Sequence, residues 1–224
     1  MVYDLTIAEE FSLLAWKHNK SPGNFAGKEK TIQLYSIGAL FMDLSLQGKI
    51  ELDDRDAVEI KEGTQTGDEA MDRLLQMIRE GKKTKKFKKW MSVFYNGWKK
   101  RKYVYEAVTA SLVEKNLLEI HVKNTFGLLK RRKTTVKNDA QDPIVQKIRA
   151  ELLEEGRVTK ETVTLCFLLE KAKMLKHYFS SYEQKQLKSR LKELQKTHEE
   201  EWKTIKRIQQ LISEMDAVFI TVVV

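Results

Sequence analysis

With 224 residues, 42% of them hydrophobic, and a single cysteine, the chain can bury a substantial core and cannot form an intramolecular disulfide. Its formal charge of +9 is concentrated: residues 81–102 carry ten Lys and Arg and no acid, which leaves the rest close to neutral. A local field of one sign draws polyanions such as nucleic acid, anionic lipid or acidic protein segments, and does not choose among them.

In chain order, "MVYDLTIAEEF" puts acid where a secretory signal would carry Lys or Arg and has no continuous apolar run, so a cytoplasmic protein is expected. Thr6 and Glu9 form a capping box, with Ile7, Phe11 and Leu14 on one face of the helix it opens. A helix through "YSIGALFMDLSLQ" stops at Gly48 and gives way to the alternating "KIEL" and "AVEI", with Asp53 and Asp54 in the turn between them. Asp68 then caps a helix with Met71, Leu74, Leu75 and Ile78 in a stripe. In "GKKTKKFKKWMSVFYNGWKKRKYVY", Phe87, Trp90, Met91, Phe94 and Trp98 recur at helical spacing and are expected to face the core, leaving Lys85, Lys88 and Lys89 on other faces.

The helix "YVYEAVTASLVEK" stops at Asn116 and leads into "LLEIHV", a turn at "NTFG" and a return strand, an echo of the earlier unit. Asp142 is expected as a cap with Pro143 at the first helical position, followed by Ile144, Ile148 and Leu152. Cys166 lies in the apolar "TLCFLLEKA" and is expected to be a buried structural thiol. Ser180 and Glu183 make a second capping box. The narrow stripe of Leu187, Leu191 and Leu194, continued by Trp202, Ile205 and Ile208, is expected to pack on its own domain. The tail "AVFITVVV" is too short to cross a bilayer.

The pattern predicts a mainly α protein: a single helical domain over 1–224, with a central helix bundle and two short β-hairpins, near 49–60 and 117–136, each attached to a helix like the wing of a winged-helix unit. An enzyme is not expected. His18, His121, His177 and His198 lack metal-ligand spacing, no Gly-rich phosphate loop is present, and no metal or cofactor is implied.

"LTIAEEFSLLA" at Leu5, "GALFMDLSLQGKIEL" at Gly38, "TGDEAMDRLLQMI" at Thr66 and "SLVEKNLL" at Ser111, in that order, resemble the Golgi phosphoprotein 3 family, as a divergent or bacterial member. The resemblance implies a non-catalytic peripheral membrane protein. Eukaryotic members bind phosphatidylinositol 4-phosphate on the cytosolic Golgi face and hold cytosolic tails of membrane proteins there. Carried over by position, the headgroup site falls on Phe25, Lys99, Lys100, Arg101, Lys102 and Tyr105, with Lys102 and Tyr105 where the family has two arginines and Ile37 where it has another. The second hairpin, with Phe126, Leu128, Leu129, Lys130, Arg131 and Arg132, is the expected membrane or homo-oligomer contact, and with Lys133 it extends the basic face. Partners expected are therefore an anionic membrane surface or phosphoinositide, and membrane-protein tails.

The alternative is a nucleic-acid-binding, winged-helix-like protein, which requires a recognition helix with base-reading side chains exposed. "YVYEAVTASLVEK" is apolar or small along most of its length and suits a core helix better.

Overall fold

Helix starts follow the capping chemistry. The Thr6 N–H donates to Glu9 Oε2 at 2.9 Å and the Glu9 N–H to Thr6 Oγ1 at 3.2 Å, closing the box that opens α1 (Ile7–His18). The same reciprocal pair joins Ser180 and Glu183 ahead of α8 (Ser181–Thr197). Asp68 caps α3 (Glu69–Arg79) through the Met71 N–H at 2.8 Å. One start differs from expectation. In α6 (Asp142–Leu152), Asp142 is already helical, Gln141 is the cap, and the Asp142 carboxylate accepts from Gln141 Nε2 at 3.0 Å instead of from a backbone N–H. Its charge still lies in the first turn, where the helix dipole favours it.

The computed structural model describes residues 4–18, 25–61, 65–81, 84–125, 129–137, 139–154, 156–197 and 203–220. Within these, the chain is mainly helical with two small antiparallel sheets. Helix α2 (Phe25–Leu46) runs into Gly48 at φ +66°, and the Lys49 N–H reaches back to the Leu44 carbonyl at 2.9 Å. Helix α5 (Trp98–Glu114) ends the same way at Asn116, φ +61°, with the Leu117 N–H on the Leu112 carbonyl at 2.9 Å. Both are helix stops built on one left-handed residue, and both feed a hairpin. The first pairs β1 (Ile50–Leu52) with β2 (Val58–Ile60). The second pairs β3 (Leu118–Thr125) with β4 (Leu129–Val136). Asp53 sits in the first turn, where its Oδ1 accepts from the N–H groups of Arg55 and Ala57.

The remaining helices are α4 (Phe87–Asn96), α7 (Lys160–Lys171) and α9 (Lys203–Ile220). The buried apolar side chains form one contiguous cluster that draws on every helix from α1 to α9. Helix α2 lies at its centre, with eleven buried side chains between Ile32 and Leu44, nine of them apolar, and so is buried on all sides. Cys166 is fully buried on α7 and burial pushes its thiol pKa up, so it packs as a small apolar group. Leu187, Leu191, Leu194, Ile205 and Ile208 pack onto the same protein, as their stripe predicts, whereas Trp202 lies outside the described residues. Among the described residues, no helix is long and apolar enough to cross a membrane.

Asp43 of α2 caps a neighbouring helix: its two carboxylate oxygens accept the Ile7 and Ala8 N–H groups of α1 at 3.0 and 3.2 Å. Burial pushes its pKa up to about 8, with the two backbone hydrogen bonds opposing. An acid whose pKa is raised on folding gives stability that is present below its unfolded value and lost as pH rises through the folded one. Wild-type stability is therefore expected to fall between pH about 4 and 8. Asp43→Asn should flatten that fall, read as the urea midpoint against pH; equal slopes in both proteins would exclude a titrating Asp43.

Candidate functional site

The aromatic stripe of the basic stretch divides at Gly97. Phe87, Trp90, Met91 and Phe94 on α4 are buried, Phe87 edge-on to Phe41 with ring centroids 5.1 Å apart. A Cβ at position 97 would stand 2.6 Å from the Val93 carbonyl, so the tight passage from α4 into α5 requires glycine there. The passage redirects the chain. Trp98, expected in the core with the others, opens α5 with 57% of its surface exposed, because the periodicity that would carry it inward belongs to the previous helix. Lys99 and Lys100 beside it are exposed, as are Lys86 just ahead of α4 and Lys88 and Lys89 on it; Lys88 is ion-paired with Glu214. Lys85 lies over the Trp90 ring at 4.5 Å.

Next to Trp98 a cleft of about 260 Å³ opens between α1, α2, α5 and the root of the second hairpin. Its wall includes Trp98, Lys102 and Tyr105 from α5, Trp16 from α1, and Ile120 and Thr134 from the hairpin. Trp16 and Tyr105 are tied together, the indole Nε1–H donating to the Tyr105 hydroxyl at 2.7 Å. Tyr105 is buried and its pKa is pushed far up by burial, so the phenol stays neutral.

Arg101 is held within the protein. Its Nε donates to Gln33 Oε1 at 2.8 Å, and its Nη1 to the carbonyls of Phe94 at 2.8 Å and Tyr95 at 3.2 Å. It thereby satisfies the last carbonyls of α4, where a cation also complements the helix dipole. Burial lowers its pKa, although a guanidinium remains charged at any ordinary pH. Lys102 pairs with Glu106 one turn on, at 3.4 Å, with both side chains partly exposed.

Of the residues named for the headgroup site, Arg101, Lys102 and Tyr105 line the cleft, while Lys99 and Lys100 are exposed on the same helix. Ile37 is fully buried and presents nothing to it. Phe25 begins α2, but its side chain lies outside what the structure describes. Phe126 and Leu128 also fall outside the described residues. Leu129, Lys130, Arg131, Arg132 and Lys133 lie on β4, where only the backbone is described.

Sequence reasoning missed Trp16, Glu29, Lys30, Gln33 and Glu106, which also line the cleft. A partial signal existed: Glu29 and Gln33, like Lys102 and Glu106, are spaced i, i+4 and meet on one helix face, the first pair at 3.1 Å. The family model described as Golgi phosphoprotein 3 (GPP34) matches residues 7–214. No curated protein matches the chain.

The division at Gly97 is testable by stability alone. Trp90→Ala, which empties a buried indole site, should cost about 3–5 kcal/mol. Trp98→Ala should lie within about 0.5 kcal/mol of wild type, as expected for an exposed site. Similar losses in a urea titration of the two variants would contradict the partition.

Proposed function

The chain belongs to the Golgi phosphoprotein 3 family, and from that premise we propose that it is a non-catalytic peripheral membrane protein that docks on anionic phospholipid headgroups through the start of α5. The observation that carries this reading is the juxtaposition, at the start of α5, of the exposed Trp98 with Lys99 and Lys100 and with Lys102 of the cleft wall.

Tryptophan favours the interface between water and hydrocarbon, and lysines reach the phosphates beside it while their stems lie along apolar surface. Each Lys or Arg near an anionic surface contributes about 1 kcal/mol, so a handful suffices for reversible docking. Gly97 supplies no side-chain cap to the first N–H groups of α5.

The family expectation of phosphatidylinositol 4-phosphate narrows here to the broader class of anionic phospholipid, since Arg101 is engaged within the protein and Ile37 is buried. Capture of cytosolic tails of membrane proteins rests on the family resemblance alone. For the nucleic-acid alternative, α5 would have to expose base-reading side chains. Instead Val104, Tyr105, Ala107, Val108 and Leu112 are buried, so α5 serves as a core helix.

Reversal of Lys99, Lys100 and Lys102 to Glu should abolish sedimentation with phosphatidylglycerol-containing vesicles at physiological salt. Thermal stability should be nearly unchanged, since exposed charges contribute little to folding. Retained vesicle binding by that variant, or wild-type preference for duplex DNA in direct competition, would overturn the proposal.

A further inference from the structure

We infer that the exposed lysine face of α8 is a second contact for anionic phospholipid, so that the protein bridges two bilayers, one held at the start of α5 and the other on α8. The inference rests on the docking reading above and extends it.

Positive charge is concentrated a second time at residues 171–197, which carry eight Lys and Arg against two acids, Glu183 and Glu193. On α8, Lys185, Lys188, Lys192 and Lys196 recur at i, i+3, i+7 and i+11, so they share one helix face, and all four are exposed. Leu187, Leu191 and Leu194, on the opposite face, are buried. Both acids lie off the lysine face and are engaged, Glu183 with Arg149 at 2.7 Å and Glu193 with Arg190 at 2.9 Å. Lys188 stands 4.0 Å from Glu170 of α7, whereas Lys185, Lys192 and Lys196 have no ion pair among the described residues. Glu199, Glu200 and Glu201 follow in sequence, outside the described residues; Lys185, Lys188 and Lys192 are the lysines farthest from them along the helix.

Placement separates this face from the first. The α1 side chains that reach α5 are Glu9, paired with Lys115 just beyond it, and Trp16, bonded to Tyr105. Seven residues apart, they share one side of α1. Glu10, about 100° round the helix, is paired instead with Lys147 of α6, and the Leu14 carbonyl accepts from the Tyr178 hydroxyl at 2.5 Å. Helices α5 and α7 both pack on α1 and α2, and α8 lies against α7 and the turn at Leu175–His177. The two basic faces therefore belong to different sides of the α1–α2 pair, and one flat bilayer does not reach both.

A bilayer is the occupant that fits. The lysines form a row roughly 16 Å long, a line of point charges without the guanidinium fork that would select a single phosphate. Tyr182, 70% exposed in the first turn of α8, sets an aromatic ring near the row, a side chain that favours the interface between water and hydrocarbon. On the scale of polybasic segments, three or four lysines correspond to a dissociation constant of about 1 mM or weaker. Such a contact does not hold a lone molecule on a vesicle, so the start of α5 remains the sedimenting surface. Many copies gathered on one vesicle engage a second one together, and the weak contacts then multiply.

The test uses the full chain with phosphatidylcholine vesicles containing phosphatidylglycerol, with sedimentation reading docking and dynamic light scattering reading clustering. Wild type should sediment with the vesicles and cluster them, and added salt should disperse the clusters. Reversal of Lys185, Lys188 and Lys192 to Glu should weaken the second contact about a hundred-fold or more. Clustering should then be lost while sedimentation stays within about two-fold of wild type. Substitution of Gln at the same three positions replaces the reversal if a Glu beside Glu170 alters the circular dichroism spectrum. Clustering that persists in these variants, as an oligomer with several α5 surfaces would give, overturns bridging and leaves docking intact, as does sedimentation of wild type without clustering. Loss of sedimentation in the α8 variants makes α8 the primary contact and overturns both readings, and so does failure of wild type to bind the anionic vesicles at all.

Discussion

The fold turns on how the first turn of α1 is held. Three carboxylates converge there with almost no exposure: Asp43 accepts two N–H groups of the turn, Glu9 is paired with Lys115 at 2.8 Å and accepts from Ser111 at 2.5 Å, and Glu10 is paired with Lys147. Like charges crowded into low dielectric are costly, and the pKa values of Asp43 and Glu10 are raised by burial. The two lysines and the helix N-terminus offset that cost. Removing either lysine would strand a buried carboxylate, a loss of about 3–5 kcal/mol for a pair of this kind. The "AEE" and "FMDL" segments are joined here by backbone hydrogen bonds to Asp43, and "AEE" and "LVEK" by the Glu9–Lys115 ion pair.

The same contacts reach the cleft. Lys115, just past the last turn of α5, holds Glu9 in the first turn of α1, while Trp16 in the last turn of α1 bonds Tyr105 in the first half of α5. The two helices are thus pinned antiparallel at both ends. The Trp16–Tyr105 side of the cleft inherits a register set by ion pairs at the far end of α1. Above that floor, Gly97 turns the chain so that α4 gives its aromatics to the core while α5 begins with Trp98 and lysines outward. The local excess of positive charge then becomes a surface, with the Trp98 indole exposed beside it.

Much of the scaffold was legible without coordinates. Capping is local chemistry within four residues, so the starts at Thr6, Asp68 and Ser180 could be read directly. The two hairpins followed from Gly48 and Asn116, because a left-handed residue after a helix followed by alternation has few other solutions. Asp142 shows the limit of that reasoning, since cap and first helical residue differ only by which group the carboxylate accepts from.

The candidate site was only partly legible. By itself the sequence determined the family, the mainly helical fold with its two wings, and the position of the basic stretch, since these depend on residue order, periodicity and charge along the chain. Tertiary structure decided what each basic or aromatic residue does. Trp90 and Trp98 look alike in a helical stripe, yet a backbone redirection at Gly97 buries one and exposes the other. Arg101 and Lys102 are neighbours in a run of four cations, yet one is spent on the carbonyls of α4 and the other stands at the cleft mouth beside Glu106. The carboxylates that line the cleft, Glu29 and Glu106, come from α2 and α5, far apart in the chain. Their effect arises through space, where Coulomb energy depends on distance and burial and not on sequence separation.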